Sequence, residues 1–214
     1  MMLPLSQALS LGALLFCIIA LLYMLLQVRH LPHQRDLATP RGRWWEGIVY
    51  AFTKALLPWS KESSTRHLVS YLAGVVFHLS TFFALFLFFL SFWLKSVPAS
   101  LKLWGSLGLW SGLLCGFGLL LKRIFTPHLR SLSYPDDYFS NALVEAFLLV
   151  SWISLREGEF PPYFYFIAVI FFLYLPLGKL RHALFCLYAR AVWGSFFGRR
   201  GVLSLWGAKR TEGR

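Results

Sequence analysis

Five apolar runs dominate this chain, and each is long enough to cross a lipid bilayer. They lie at about 5–28, 68–94, 102–121, 138–155 and 161–186, against a requirement of about twenty residues for the hydrocarbon core. Lipid offers no hydrogen bonds, so every backbone N–H and C=O in such a run must be satisfied locally, which commits the run to α-helix. The expected fold is an all-α membrane protein: a five-transmembrane-helix bundle forming one domain over 1–214. Composition agrees, with 57% hydrophobic residues, 14% charged residues and a mean hydropathy of +0.60, far from the usage of soluble domains. The first run has no basic n-region and no small-residue cleavage site, so it reads as a retained helix rather than a signal peptide.

Basic residues set the expected orientation. Arg29, Arg35, Arg41, Arg43, Lys54, Lys61 and Arg66 lie between the first two runs; Lys122, Arg123 and Arg130 follow the third; Lys179, Arg181, Arg190, Arg199, Arg200, Lys209, Arg210 and Arg214 lie at or beyond the end of the fifth. The opposite side carries only Lys95, Lys102 and Arg156. The positive-inside rule then puts the N-terminus outside and the C-terminus in the cytoplasm. The net charge of +12 becomes a cytoplasmic feature, suited to anionic headgroups or an acidic partner subunit. Nucleic acid is excluded as a partner, because no recognition module is present.

Between the first two runs, Trp45, Ile48, Val49, Phe52, Leu56 and Trp59 recur at helical spacing, while Arg43, Glu46 and Lys54 fall elsewhere. This predicts an amphipathic helix over about 43–57, lying in the membrane interface and ending near Pro58. It could equally be a docking face for another protein. In the third run, Gly108, Gly112 and Gly116, with Gly105 beside them, form a small-residue face for close helix packing. Cys17, Cys115 and Cys186 have no ligand spacing and read as small apolar residues.

The ionisable residues inside these runs carry the functional reading, since a titratable group at membrane depth is costly. His78 lies eleven residues past His67, ~16 Å along a helix and well inside the membrane. His182 sits near the cytoplasmic end of the fifth run. An imidazole on each of two spanning helices is what six-coordinate haem iron requires. Gly74 and Gly178 precede the two histidines by four residues, on the same face of a continuous helix, where they would leave room for a flat macrocycle. The plainer alternatives are an interhelical hydrogen bond for His78 and an interfacial position for His182. His30, His33, His67 and His128 read as interfacial, with His67 a reserve ligand. Glu145 is the one carboxylate well inside a spanning run, and Asn141 lies one turn before it; together they are a candidate proton-exchanging pair or an interhelical polar contact. Asp136 and Asp137 read as an N-terminal cap.

The sequences FHLS in the second run, LLKRIFTPHLRS after the third and LPLGKLRH closing the fifth resemble the gamma subunit of respiratory nitrate reductase. They also resemble its superfamily relatives, the membrane cytochromes b of heterodisulfide reductase and of sulfur-metabolising quinone complexes. The similarity covers most of the second to fifth runs, and Pro176 to His182 is its most specific stretch. The resemblance implies a haem subunit of the prokaryotic cytoplasmic membrane. Such a subunit exchanges electrons between a quinone, menaquinone or another, and a cytoplasmic iron–sulfur or catalytic subunit. His78 and His182 match the family's ligands for the haem nearer the cytoplasm. The outer-haem ligand positions fall at Phe88 and Phe164, which cannot bind iron, so one haem b is expected rather than two. Arg66, Lys122, Lys179 and Arg181 are the candidate cations for its propionates, and each could serve lipid instead. The alternative expectation is a haem-free membrane anchor or assembly subunit.

Overall fold

The computed structural model describes residues 4–31, 37–60, 65–94 and 96–203. Eight α-helices are present among these residues: α1 Leu5–His30, α2 Trp44–Phe52, α3 Leu68–Leu90, α4 Ala99–Phe125, α5 Pro127–Ser131, α6 Pro135–Glu157, α7 Pro162–Tyr174 and α8 His182–Arg199. Short 3-10 turns occur at Lys54–Leu56, Pro58–Ser60 and Lys179–Arg181, and no strand occurs among the described residues. Four helices, α1, α3, α4 and α6, are each long and apolar enough to cross a membrane, and the broken pair formed by α7 and the segment Lys179–Arg199 makes a fifth if counted as one span. This is consistent with an integral membrane protein.

The fourth run, the shortest in the sequence, becomes a helix of 23 residues. Pro135 occupies its first turn, where the missing N–H has no consequence, and Gly158 at φ 88° closes it in the left-handed region. The fifth run departs from expectation. Its helix, α7, stops at Tyr174 after 13 residues, ~20 Å of rise. Pro176 has no N–H and its ring opposes the carbonyl one turn back, so the helix cannot continue. Leu177 N and Gly178 N both donate instead to Tyr174 O at 2.9 Å. The continuous helix over 161–186 is therefore replaced by α7, a turn, a 3-10 turn and α8, and the new helix runs to Arg199, well past the expected end.

Where the sequence reads as one domain, the contacts divide the chain into two compact units, Met1–Tyr23 with Val69–Arg181, and Met24–Leu68 with His182–Arg214. In the first unit α6 is the central element: 44% of its most apolar window is buried, against 17% for α1. The glycine face of α4 packs closely at Gly105, Gly112 and Gly116, whereas a Cβ at Gly108 would meet nothing within 4 Å. A Cβ at Gly105 would collide with Leu155 of α6 and Phe83 of α3, and one at Gly112 with Ser80 of α3. Ser80 Oγ donates across the same contact to Gly108 O at 2.8 Å, while Ser151 and Ser154 donate back to carbonyls of their own helix. Bonds of this kind satisfy hydroxyls where water is absent.

The second unit is built on a still closer approach. Gly47 of α2 lies against Gly194 and Gly198 of α8, and a Cβ at any of the three would strike the opposing backbone. Gly194 and Gly198 form a small-xxx-small pair, the spacing that lets helices cross at backbone contact. Arg41 N and Gly42 N donate to Arg199 O at 2.8 and 3.0 Å, satisfying a carbonyl at the end of α8. Arg190 Nη1 donates to Ala51 O at 2.7 Å.

Gly47→Ala should force these backbones apart and lower stability by ~1–3 kcal/mol or more. Gly118→Ala, where an added Cβ meets nothing within 4 Å, should be neutral or stabilising by up to ~1 kcal/mol. Thermal denaturation of the detergent-purified protein reads both; equal melting shifts would show that the α2–α8 approach is not limiting.

Candidate functional site

His78 lies on α3, inside a spanning helix, with an exposed side chain. Its Nδ1 is 2.6 Å from Gly74 O one turn earlier. A carbonyl only accepts, so Nδ1 donates in this contact, the kind of anchor that orients a metal-binding imidazole. A Cβ at Gly74 would meet nothing within 4 Å. The helix surface beside the imidazole is therefore open, as a flat ligand requires.

The other half of the expected pair is arranged differently. His182 is the exposed first residue of α8, in the second unit. Gly178 is not one turn behind it on a continuous helix; it sits in the break after α7, and a Cβ there would collide with the Tyr174 ring. Gly178 makes room for tyrosine rather than for a cofactor, because Pro176 has already redirected the chain. Among the described residues no group of three or more His, Cys, Asp or Glu could hold a metal ion. His30, His67 and His128 are exposed, and His33 lies outside the described residues.

The positions expected for outer-haem ligands are packed solid. Phe88 and Phe164 are fully buried with ring centroids 6.4 Å apart. Phe172 stands 5.0 Å from Phe88, and Phe147 stands 6.3 Å from Phe164. Edge-to-face and tilted rings at these separations form a continuous aromatic core, with no slot for another planar group between α3 and α7.

Glu145 and Asn141 occupy one face of α6. The Glu145 carboxylate sits over Gly116 of α4 with the Phe77 ring of α3 beside it, so that a Cβ at Gly116 would strike both. The last glycine of the α4 stripe thus forms a notch for a carboxylate as well as a packing surface. Glu145 Oε1 and Asn141 Oδ1 are buried and have no hydrogen-bond partner among the described residues. Such atoms are rare in folded proteins because leaving them unpaired is costly.

A polar clasp closes the end of the first unit where α6 begins. Asp137 accepts from Tyr134 N at 2.9 Å, capping the helix as expected, and it also pairs with Lys179 Nζ at 2.5 Å and Arg123 Nη1 at 3.3 Å. Asp136 accepts from Tyr174 OH and, at 3.0 Å, from Lys179 N. Tyr174 OH lies 2.9 Å from Ser140 Oγ. Of the four cations expected near haem propionates, Lys179 is engaged in this clasp and Lys122 donates to Ser70 Oγ at 2.5 Å; Arg66 and Arg181 are exposed. The clasp and the α2–α8 contact were not anticipated from the sequence. The Gly194–Gly198 spacing is the signal that could have revealed the second; the first joins residues too far apart in the chain to leave a local pattern.

No protein-family model, curated protein or solved structure matches this chain.

Tyr174→Phe should cost ~1–3 kcal/mol, because it strands a partner of Asp136 and Ser140. Phe139→Leu, which alters a ring edge-on to Tyr174 at 4.7 Å but removes no hydrogen bond, should cost less. Ranking the two melting temperatures checks the clasp, and the reverse order would count against it.

Proposed function

We propose that this chain is a haem b membrane subunit that passes electrons between a membrane quinone and a cytoplasmic iron–sulfur or catalytic partner. The observation that carries the reading is His78: an imidazole on a helix long and apolar enough to span a membrane, anchored through Nδ1 to Gly74 O at 2.6 Å, beside a helix surface that is open at Gly74. His182 is the second axial ligand that the family resemblance implies, and Arg66 and Arg181 are among its expected propionate cations. The haem, when bound, supplies one-electron redox chemistry. The buried contact of Phe88 with Phe164 supports a single haem per chain. The resemblance to the nitrate reductase gamma subunit and its relatives supports the same role and a prokaryotic cytoplasmic membrane.

The second unit suits the inner membrane surface in this reading. α8 covers the Gly47–Ala51–Ala55 side of the α2 segment, which is buried, and leaves Trp44, Trp45, Val49, Leu56 and Trp59 exposed. Exposed indoles beside basic residues suit an interfacial helix. With the basic segments inside, the N-terminus faces out and the C-terminus the cytoplasm.

A quinol releases protons with its electrons, and Glu145 is placed to take one. It is a half-buried carboxylate whose Oε1 is buried and unpaired, on a helix long and apolar enough to span, and the Asn141 amide one turn away can orient a quinone oxygen. Menaquinone or another quinone is the mobile carrier. A second reading, a haem-free anchor or assembly subunit, is favoured by Gly178, whose position is filled by Tyr174 rather than open.

The reduced-minus-oxidised spectrum of the purified protein separates the two readings. A low-spin b-type signal should be present, lost in His78→Ala and in His182→Ala, and retained in His128→Ala; a wild-type spectrum in either ligand variant removes that ligand. A pyridine haemochrome assay should give one haem per chain, and two would refute the reading of Phe88 and Phe164. In haem-replete protein, Glu145→Gln should slow haem reduction by a menaquinol analogue by ~10²-fold or more, as for other general bases; unchanged rates across pH would leave Glu145 a structural contact.

A further inference from the structure

At the end of the first unit opposite the polar clasp, the start of α4 and the end of α6 enclose a cavity of about 530 Å³, lined chiefly by Lys102, Leu103, Ser106, Trp110, Trp152 and Arg156. Two cations reach it and no carboxylate lines it. The Lys102 ammonium lies against Gly158, the left-handed residue that ends α6, so it is held at the carbonyl end of that helix. The Arg156 guanidinium stands 5.7 Å over the Trp152 ring, and Trp152 packs on Trp110 at 5.3 Å. Neither cation has an ion-pair partner among the described residues, and Glu157 beside Arg156 in the chain accepts from Tyr163 OH instead. Between the cations and the apolar wall sits Ser106, 9% exposed, whose Oγ is buried without a hydrogen-bond partner. The buried serines 80, 140, 151 and 154 all have one.

We infer that this cavity binds the headgroup and upper acyl chain of an anionic phospholipid. A phosphodiester answers the two cations, an ester carbonyl can accept from the Ser106 hydroxyl, and an acyl chain covers Leu103, Leu107 and the indoles. A neutral quinone would leave both charges uncompensated, and a free phosphate ion would leave the apolar wall bare. Paired indoles with basic side chains at a helix end are the chemistry of the membrane interface, and each such cation strengthens attraction to an anionic lipid. The inference is independent of the haem assignment.

The test is native mass spectrometry of the detergent-purified full chain, titrated with dihexanoyl-phosphatidylglycerol, dihexanoyl-phosphatidylcholine or inorganic phosphate. One phosphatidylglycerol should be retained per chain, in preference to phosphatidylcholine by roughly tenfold or more. The double variant Lys102→Gln, Arg156→Gln should lose that preference, and Lys54→Gln, on the second unit, should keep it. Ser106→Ala, which removes only a hydroxyl, should weaken retention several-fold and keeps the test decisive should the double variant misfold. Equal retention of the two lipids, undiminished preference in the charge or serine variants, or displacement of the lipid by millimolar inorganic phosphate would each overturn the proposal.

Discussion

Backbone approach at glycine is the contact on which the rest of this protein depends. Between helices in lipid there is little hydrophobic drive, since acyl chains are as apolar as leucine, so association rests on van der Waals packing and interhelical hydrogen bonds. Both units use the same device. In the first, Gly105, Gly112 and Gly116 let α4 lie against α3 and α6; in the second, Gly47, Gly194 and Gly198 bring α2 and α8 into backbone contact. Everything polar in the first unit is arranged around that close packing. Ser80 reaches the Gly108 carbonyl because no side chain intervenes, and Glu145 has a notch to occupy because Gly116 has no Cβ.

The polar atoms of the first unit then fall into two sets. Most are spent on structure: serines bonded to carbonyls, and the Asp136–Asp137 clasp joining the ends of α4, α6 and α7 with Arg123, Tyr174 and Lys179. A few buried side-chain atoms among the described residues remain without partners: Ser106 Oγ, Asn141 Oδ1 and Glu145 Oε1. Because an unpaired buried polar atom is costly, these atoms mark where a ligand or proton is to be expected. One pair lies in mid-helix on α6 and the serine in the cavity at the opposite end of α4.

Much of the fold was legible because the signals are local. The first four apolar helices and the packing role of the α4 glycines follow from residues within a few turns of one another, though the fourth begins at Pro135 rather than near 138. The fifth run, expected as one continuous helix over 161–186, is broken for a reason that is also local. Apolar continuity through LYLPLG outweighed a proline whose effect on an interior hydrogen bond is decisive. That error carried with it the length of α8 and the placement of Gly178. His78, Glu145 and Asn141 stood out as polar residues in apolar runs. The sequence could not say that Nδ1 of His78 faces Gly74 O, or that Lys179 is bound by Asp137 instead of being available for a propionate.

By itself, the sequence determined which segments are apolar enough and long enough to form membrane-crossing helices. Each helix satisfies its own backbone, so membrane helicity is a property of a segment and needs no partner. Only the tertiary structure decided which polar groups are paired, which glycines face a backbone and which face open space, and where a cavity with two cations remains. Those outcomes depend on contacts such as Gly47 with Gly198, or Asp137 with Lys179, made between segments far apart in the chain. No periodicity within either segment encodes which partner it will meet.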